Sequence, residues 1–265
     1  MASSTIDTYL TPTTRPYYEK VHAIVENLKT ALESVKSVNS EDEQYYTDWE
    51  EYNSKQKFPF PVCTQKPGFE YNNCEIYIFG GYIRNIIEHY HSQAEVFIPP
   101  NDVDIFIRFD EQYVRTPSQT TWKRLFVPFI VQSLAINHTI TYGKIKHNHY
   151  GDYDYGLARI TIDGINFDIT THINDFQAYC PRFDELSDYT VNNLMIDTRG
   201  NLSTRVKIDQ YGLQSCLEHI QQRQLVFINN ETVFRERLSY DEDGSIFAKY
   251  MDDRKAKMLA YGYAE

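Results

Sequence analysis

NDVDIFIRF, residues 101–109, decides the fold. Side chains on a β-strand alternate faces with a period of two. Val103, Ile105, Ile107 and Phe109 share one face and are all apolar, while Asp102, Asp104, Phe106 and Arg108 share the other. The segment reads as a half-buried strand that projects two carboxylates together. Aspartate is depleted in strands, so two on one face need a reason beyond exposure. Further along, GINFDITTH (residues 164–172) repeats the phase: Ile165, Phe167 and Ile169 alternate with Asn166, Asp168 and Thr170. Two adjacent strands of this kind bring Asp102, Asp104 and Asp168 onto one surface. Like charges held that close repel unless a cation sits among them. Mg²⁺, or Mn²⁺ in its place, is the natural expectation, because it takes hard oxygen ligands and bridges carboxylates to substrate phosphates.

Upstream, IYIFGGYIRN (76–85) reads as a strand that ends in Gly80–Gly81 and leads into a helix. Glycines there let backbone amides approach a triphosphate at a helix N-terminus, where the dipole favours anions. The same pair also makes an ordinary tight turn, so alone it decides nothing. The chain has no GxxxxGK[ST] and no GxGxxG, which leaves P-loop and dinucleotide-fold readings without support.

Outward from this core, Val21, Ile24, Val25, Leu28, Leu32 and Val35 recur at helical spacing and predict a helix over 17–37, with Pro16 at its start. An acidic run (41–51) and a proline-bearing stretch (57–69) follow. The expected order is then strand 75–79, helix 82–91, strand 102–109 and a helix near 119–135 kinked at Pro128. ITYGKIKHNHY (140–150) and YGLARITI (155–162) predict a hairpin, and Asp163–Gly164 a tight turn into the Asp168 strand. KHNH (146–149) offers metal ligands, but a polar hairpin tip is the stronger reading. Helices are expected at 188–196, 211–223 and 244–261.

Charge pulls the other way. The 265 residues carry a net charge of −11 with a pI near 5.2, whereas phosphate contacts usually come from Lys and Arg. Part of the acidity is local, since Glu41 to Glu51 holds six acids and no base. Basic residues are denser towards the C-terminus, at Arg235, Arg237, Lys249, Arg254, Lys255 and Lys257. Among the tyrosines, Tyr150, Tyr153 and Tyr155 are able to stack on bases, although a structural reading outweighs this. The four cysteines form no CxxC pair, so neither a zinc site nor a disulfide framework is indicated. Reduced thiols and a cytoplasmic setting are expected. No stretch approaches the roughly 20 apolar residues of a membrane span, and MASSTIDTYL has no leader pattern.

FGGYIRN and NDVDIF resemble the GGxVRD and DxD core of the class II tRNA nucleotidyltransferases (CCA-adding enzymes) and bacterial poly(A) polymerases, within the polymerase-beta-like nucleotidyltransferase superfamily. ARITIDGINFDITTH (158–172) is similar to the segment in which that family places a carboxylate before VTT. DYTVNNLMIDTRGNL (188–202) resembles its RRDFTINALAYD-G stretch, and YGLQSCLEHIQQRQLVFI (211–228) the segment after it. Order and spacing agree over about residues 75–230. The departures are specific: Asn85 replaces an aspartate, Leu186–Ser187 replace Arg-Arg, and His172–Ile173 replace Phe-Arg. Only Met251-Asp252-Asp253-Arg254 echoes the family's base-reading Glu-Asp-x-x-Arg.

The resemblance implies an α+β fold. A nucleotidyltransferase palm with a mixed or antiparallel sheet spans 71–175, a helical extension precedes it (1–70), and a helical neck follows (176–265). It implies that Asp102, Asp104 and Asp168 hold two Mg²⁺ ions and carry catalysis. Gly80, Gly81 and Arg84 would lie near the triphosphate of an NTP, and Asp188 and Asn192 near its sugar and phosphates. The expected reaction moves a nucleoside monophosphate, from ATP by preference, to a hydroxyl acceptor such as an RNA 3′ end. Two alternatives stand beside it: an inactive nucleotidyltransferase-like binding subunit, and an enzyme acting on a protein or small molecule.

Overall fold

The computed structural model describes residues 4–33, 74–109, 127–150, 153–172, 187–206, 210–228 and 245–264. The acidic run 41–51, the stretch 57–69, Arg235 and Arg237 lie outside them. Helix α1 (Arg15–Glu33) leads, followed by β1 (Cys74–Phe79), α2 (Gly81–Ser92) and β2 (Val103–Phe109). Helix α3 (Val127–Ala135) precedes a run of three strands, β3 (Ile140–Tyr150), β4 (Tyr153–Ile162) and β5 (Ile165–His172). Short strands β6 (Leu194–Asp197) and β7 (Leu202–Thr204), then helices α4 (Leu213–Gln221) and α5 (Ser245–Ala260), complete the order.

The strands form one mixed seven-stranded sheet in the order β3-β4-β5-β2-β1-β6-β7, flanked by helices, so the chain is α+β. Strands β2 and β5 pair in parallel, and the other described neighbours are antiparallel. A parallel pair needs a crossover. Here the connection carries α3 and the β3–β4 hairpin.

The period-two reading of the sequence becomes the layering of the molecule. Ile76, Ile78, Val103, Ile105, Ile107, Ile160, Ile162, Phe167 and Ile169 are buried in a single core cluster with the apolar stripes of α1, α2 and α3. Val21, Ile24, Val25, Leu28 and Leu32 place α1 inside that cluster, so this part of the N-terminal extension is built into the core. The helices cover one face of the sheet, and the opposite face carries the aspartates.

Three expectations need correction. Residues 188–196 are not a helix: a 3-10 turn (Thr190–Asn192) runs directly into β6, which pairs with β1. Leu194 and Ile196 are buried while Met195 and Asp197 are half-buried, a period of two that four residues are too few to reveal. The sheet thus continues into the region expected to be mainly helical. Pro128 does not kink the described helix, because it falls in the first turn of α3, where a missing N–H breaks no helical bond, and residues 119–126 of the expected helix lie outside the described residues. The KHNH run is not the hairpin tip: residues 146–149 are strand, paired with 157–154. The Asp163–Gly164 turn is as expected, with φ of 49° and 80° at its two residues, the backbone of a type I′ hairpin turn.

Candidate active site

β2 and β5 set the site. Asp104 and Asp168 are register partners in the parallel pair, as are Val103 with Phe167 and Ile105 with Ile169. The isoleucines go into the core, and the two carboxylates therefore share the opposite face. Asp102 lies just before β2 in the same phase. The charges of Asp102 and Asp168 both act on Asp104, so the three carboxylates share one neighbourhood on this face. Burial first, then these two neighbours, push the Asp104 carboxyl up to about 7, against the opposing pull of Arg205 and Arg254. A protein that holds a carboxylate this way without an added cation is holding it at a cost.

Beside the trio lies a cavity lined by Gly80, Gly81, Arg84, Asp102, Asp104, Asp188, Asn192, Arg205, Arg254, Lys257 and Tyr261, among others. Every NTP-side residue expected from the sequence reaches its wall. Asp168 lies next to Asp104 but outside that wall. Four cations (Arg84, Arg205, Arg254, Lys257) meet three carboxylates (Asp102, Asp104, Asp188) there. The lining is thus net cationic in a chain whose net charge is −11.

Arg205, Arg254 and Lys257 were missed by sequence reasoning as site residues. Arg205 follows β7 and lies over the Phe79 ring, 4.4 Å from guanidinium carbon to ring centroid. Arg254 and Lys257 come from α5, far along the chain. The prior signals were the basic C-terminal stretch and, for Arg254, the Met251–Arg254 echo, and neither says where that helix docks.

Much of the cavity's polar wall is bonded to itself. Arg84 Nη1 donates to Asn192 Oδ1 at 2.6 Å, and Asn192 Nδ2 donates to Asp188 Oδ1 at 2.9 Å. The Tyr189 amide donates to the same Asp188 oxygen at 2.8 Å, and Arg254 Nε to Asp188 Oδ2 at 2.5 Å. Burial raises the Asp188 carboxyl, but the Arg254 charge and these hydrogen bonds outweigh it and hold the pKa below the usual value. Arg84 also lies over Tyr261, 5.2 Å from the ring centroid, and beside Glu88, which accepts a hydrogen bond from the Tyr263 hydroxyl. This network ties α2, the 190–192 turn and α5 together around the cavity.

The glycine pair divides its work. Gly80 has φ +73°, and a Cβ there would meet Asp104 Oδ2 at 2.9 Å, so both the backbone and the carboxylate require glycine. A Cβ on Gly81 would meet Arg84 Nη2 at 3.3 Å, a tight contact that a shift of a few tenths of an ångström relieves. Gly80→Ala is therefore expected to cost about 1–3 kcal/mol of stability from backbone strain and to displace Asp104. Gly81→Ala is expected to be near neutral. Urea unfolding of the two variants checks this, and equal costs would refute the division.

The donor chemistry of the trio fits a hard divalent cation, since all the candidate ligand atoms are carboxylate oxygens and Asp104 is crowded by two others. Among the described residues, Asp102, Asp104 and Asp168 included, no three His, Cys, Asp or Glu side chains stand so as to hold a metal ion. One reason is visible: Arg159, opposite Asp168 on β4, donates from Nε and Nη2 to Asp168 Oδ2 at 3.0 and 2.9 Å. For Asp168 to join a cation, that oxygen has to loosen its hold on Arg159. No helix among the described residues is long and apolar enough to cross a membrane.

No protein-family model matches the chain and no curated protein matches it, so the functional reading rests on this geometry and on the residues that build it.

Proposed function

We propose that the protein is a metal-dependent nucleotidyltransferase that moves a nucleoside monophosphate from an NTP, with ATP favoured by the family resemblance, to the 3′ hydroxyl of an RNA. The observation that carries this reading is the pairing of Asp104 with Asp168 across β2 and β5, with Asp102 in the same phase, beside a cavity lined by four cations. Asp102 and Asp104, with Asp168, would hold Mg²⁺, which when bound supplies Lewis-acid activation of the hydroxyl and charge neutralisation of the leaving pyrophosphate. In the transfer, the acceptor oxygen bonds to the α-phosphorus and the bridge to the β-phosphate breaks. Pyrophosphate leaves with the bonding electrons, and the hydroxyl proton passes to solvent at the open sheet face. Arg205, Arg254 and Lys257 bind and orient the triphosphate by charge, and the Gly80–Gly81 turn lets it approach the backbone. Tyr261, exposed at the cavity wall, offers a ring on which a base stacks.

One observation favours a second reading, an inactive subunit that binds nucleotide: the Arg159–Asp168 pair engages the third carboxylate. The two readings part in one assay. Purified protein is incubated with each labelled NTP, Mg²⁺ or Mn²⁺, and RNA, tRNA or protein acceptors, with Asp102→Ala/Asp104→Ala as control. Label transfer by the wild type alone supports the enzyme. NTP binding without transfer supports the binding subunit, and equal labelling by wild type and control refutes the enzyme.

A further inference from the structure

We propose that Arg159 marks the acceptor track: its guanidinium takes a backbone phosphate of single-stranded RNA whose 3′ hydroxyl is aimed at the carboxylate trio. This rests on the nucleotidyl-transfer reading above and names the acceptor side of the same site.

The inference comes from one row across the sheet. Lys144 pairs with Arg159, Arg159 with Asp168, Asp168 with Asp104, and Asp104 with Phe79. Positions paired in a ladder share a face. From Arg159 the row therefore runs cation, carboxylate, carboxylate, and then reaches the cavity at Phe79 and Gly80. The cavity with Arg84, Arg205, Arg254 and Lys257 lies on the β1 side of Asp104. Arg159 and Lys144 lie on the β4–β3 side, towards the sheet edge.

Nucleotidyl transfer is an in-line displacement, so the attacking oxygen and the departing pyrophosphate stand on opposite sides of the α-phosphorus. A triphosphate in the β1-side cavity leaves the attacking hydroxyl to enter from the β4 side, over Asp168. An RNA end that enters there carries its next phosphate outward, towards Arg159. Arg159 suits that contact. Its side chain is 48% exposed, its fork geometry matches phosphate oxygens, and its two bonds to Asp168 use two of five donor hydrogens.

The test is fluorescence anisotropy of a 5′-labelled oligoadenylate in EDTA, read at several salt concentrations, with NTP binding followed separately by calorimetry. Arg159→Ala is expected to weaken oligonucleotide binding about tenfold. It is also expected to flatten the plot of log affinity against log salt by about 0.7, one single-strand phosphate contact. Arg159→Lys should restore the salt slope, since it keeps the charge. NTP binding should be unchanged in both variants, which also shows that they fold. An unchanged slope in Arg159→Ala, or a wild type that does not bind the oligonucleotide, overturns the inference. If the wild type then still transfers nucleotide to a protein acceptor, the transferase reading survives and only the RNA track falls. If it neither binds NTP nor labels any acceptor, the transferase reading itself falls.

Discussion

Asp104→Asn is expected to lose nucleotidyl transfer by on the order of 10³-fold while making the metal-free protein more stable. The loss follows from removing a charged oxygen from the centre of the trio. Charge stabilisation by a metal is worth several kcal/mol, and about 4 kcal/mol corresponds to three powers of ten in rate. The gain follows from the same crowding. Asp104 sits among packed atoms and beside Asp102 and Asp168, which lift its carboxyl from 3.8 to about 7. For an acid raised in the folded state, the folded protein binds the extra proton, so stability falls as pH rises between those two values and then levels off. The penalty above pH 7 is roughly 2–4 kcal/mol. Asparagine keeps the shape and removes the charge, so the variant should lack this slope when unfolding is followed in EDTA from pH 4 to pH 8. Mg²⁺ adds a second readout. Binding to the folded state at 100 times the dissociation constant stabilises by about 2.7 kcal/mol, and the wild type should gain this while the variant does not. A variant that retains transfer, or one stabilised by Mg²⁺ as much as the wild type, would remove Asp104 from the site.

What the sequence made legible has a common physical character: it is short-range and periodic. The alternation in 101–109 and 164–172 fixes which side chains enter the core, so the placement of Asp102, Asp104 and Asp168 on the other face follows from the strands alone. The Asp163–Gly164 turn and the helical stripe of α1 are local in the same sense. The failures are of two kinds. β6 is four residues long, too short for a period of two to outweigh a run that also suits a helix. Its identity is settled by its neighbour β1, more than a hundred residues away. The cations are the second kind. Arg205 and Arg254 reach the cavity only because β7 joins the sheet edge and α5 docks against α2, and nothing near either arginine encodes those contacts. The Leu186–Ser187 departure removes two arginines of the pattern that the sequence resembles. Arg205, Arg254 and Lys257 bring positive charge to the same cavity from elsewhere in the chain.

Asp188→Asn is expected to cost about 3 kcal/mol at pH 7 and to lose most of that cost at acid pH. Asp188 is 4% exposed and accepts from Arg254, Asn192 and the Tyr189 amide. Removing one partner of a buried ion pair typically costs about 3–5 kcal/mol, because the other charge is left uncompensated. Arg254 is 33% exposed, so water compensates it in part and the low end of that range applies. The pH dependence fixes the cause. The Asp188 carboxyl is held below its usual value, so its contribution is fully present above the unfolded carboxylate range near 4. It is lost as pH falls through the lower folded value. This is opposite in sign to Asp104, whose penalty grows as pH rises from 4 to 7. Wild-type stability should therefore fall on both sides of a maximum near pH 4–5. The difference between wild type and Asp188→Asn should shrink only on the acid side. The consequence reaches the cavity, because Asp188 holds Arg254 at its wall. The same variant should raise KM for the NTP more than it lowers kcat, since it loosens a group that binds the triphosphate rather than one of the trio. Urea unfolding from pH 3 to pH 7 measures the first effect and steady-state kinetics the second. A stability difference that stays constant across that range would mean that Asp188 and Arg254 do not act as an ion pair in the folded protein.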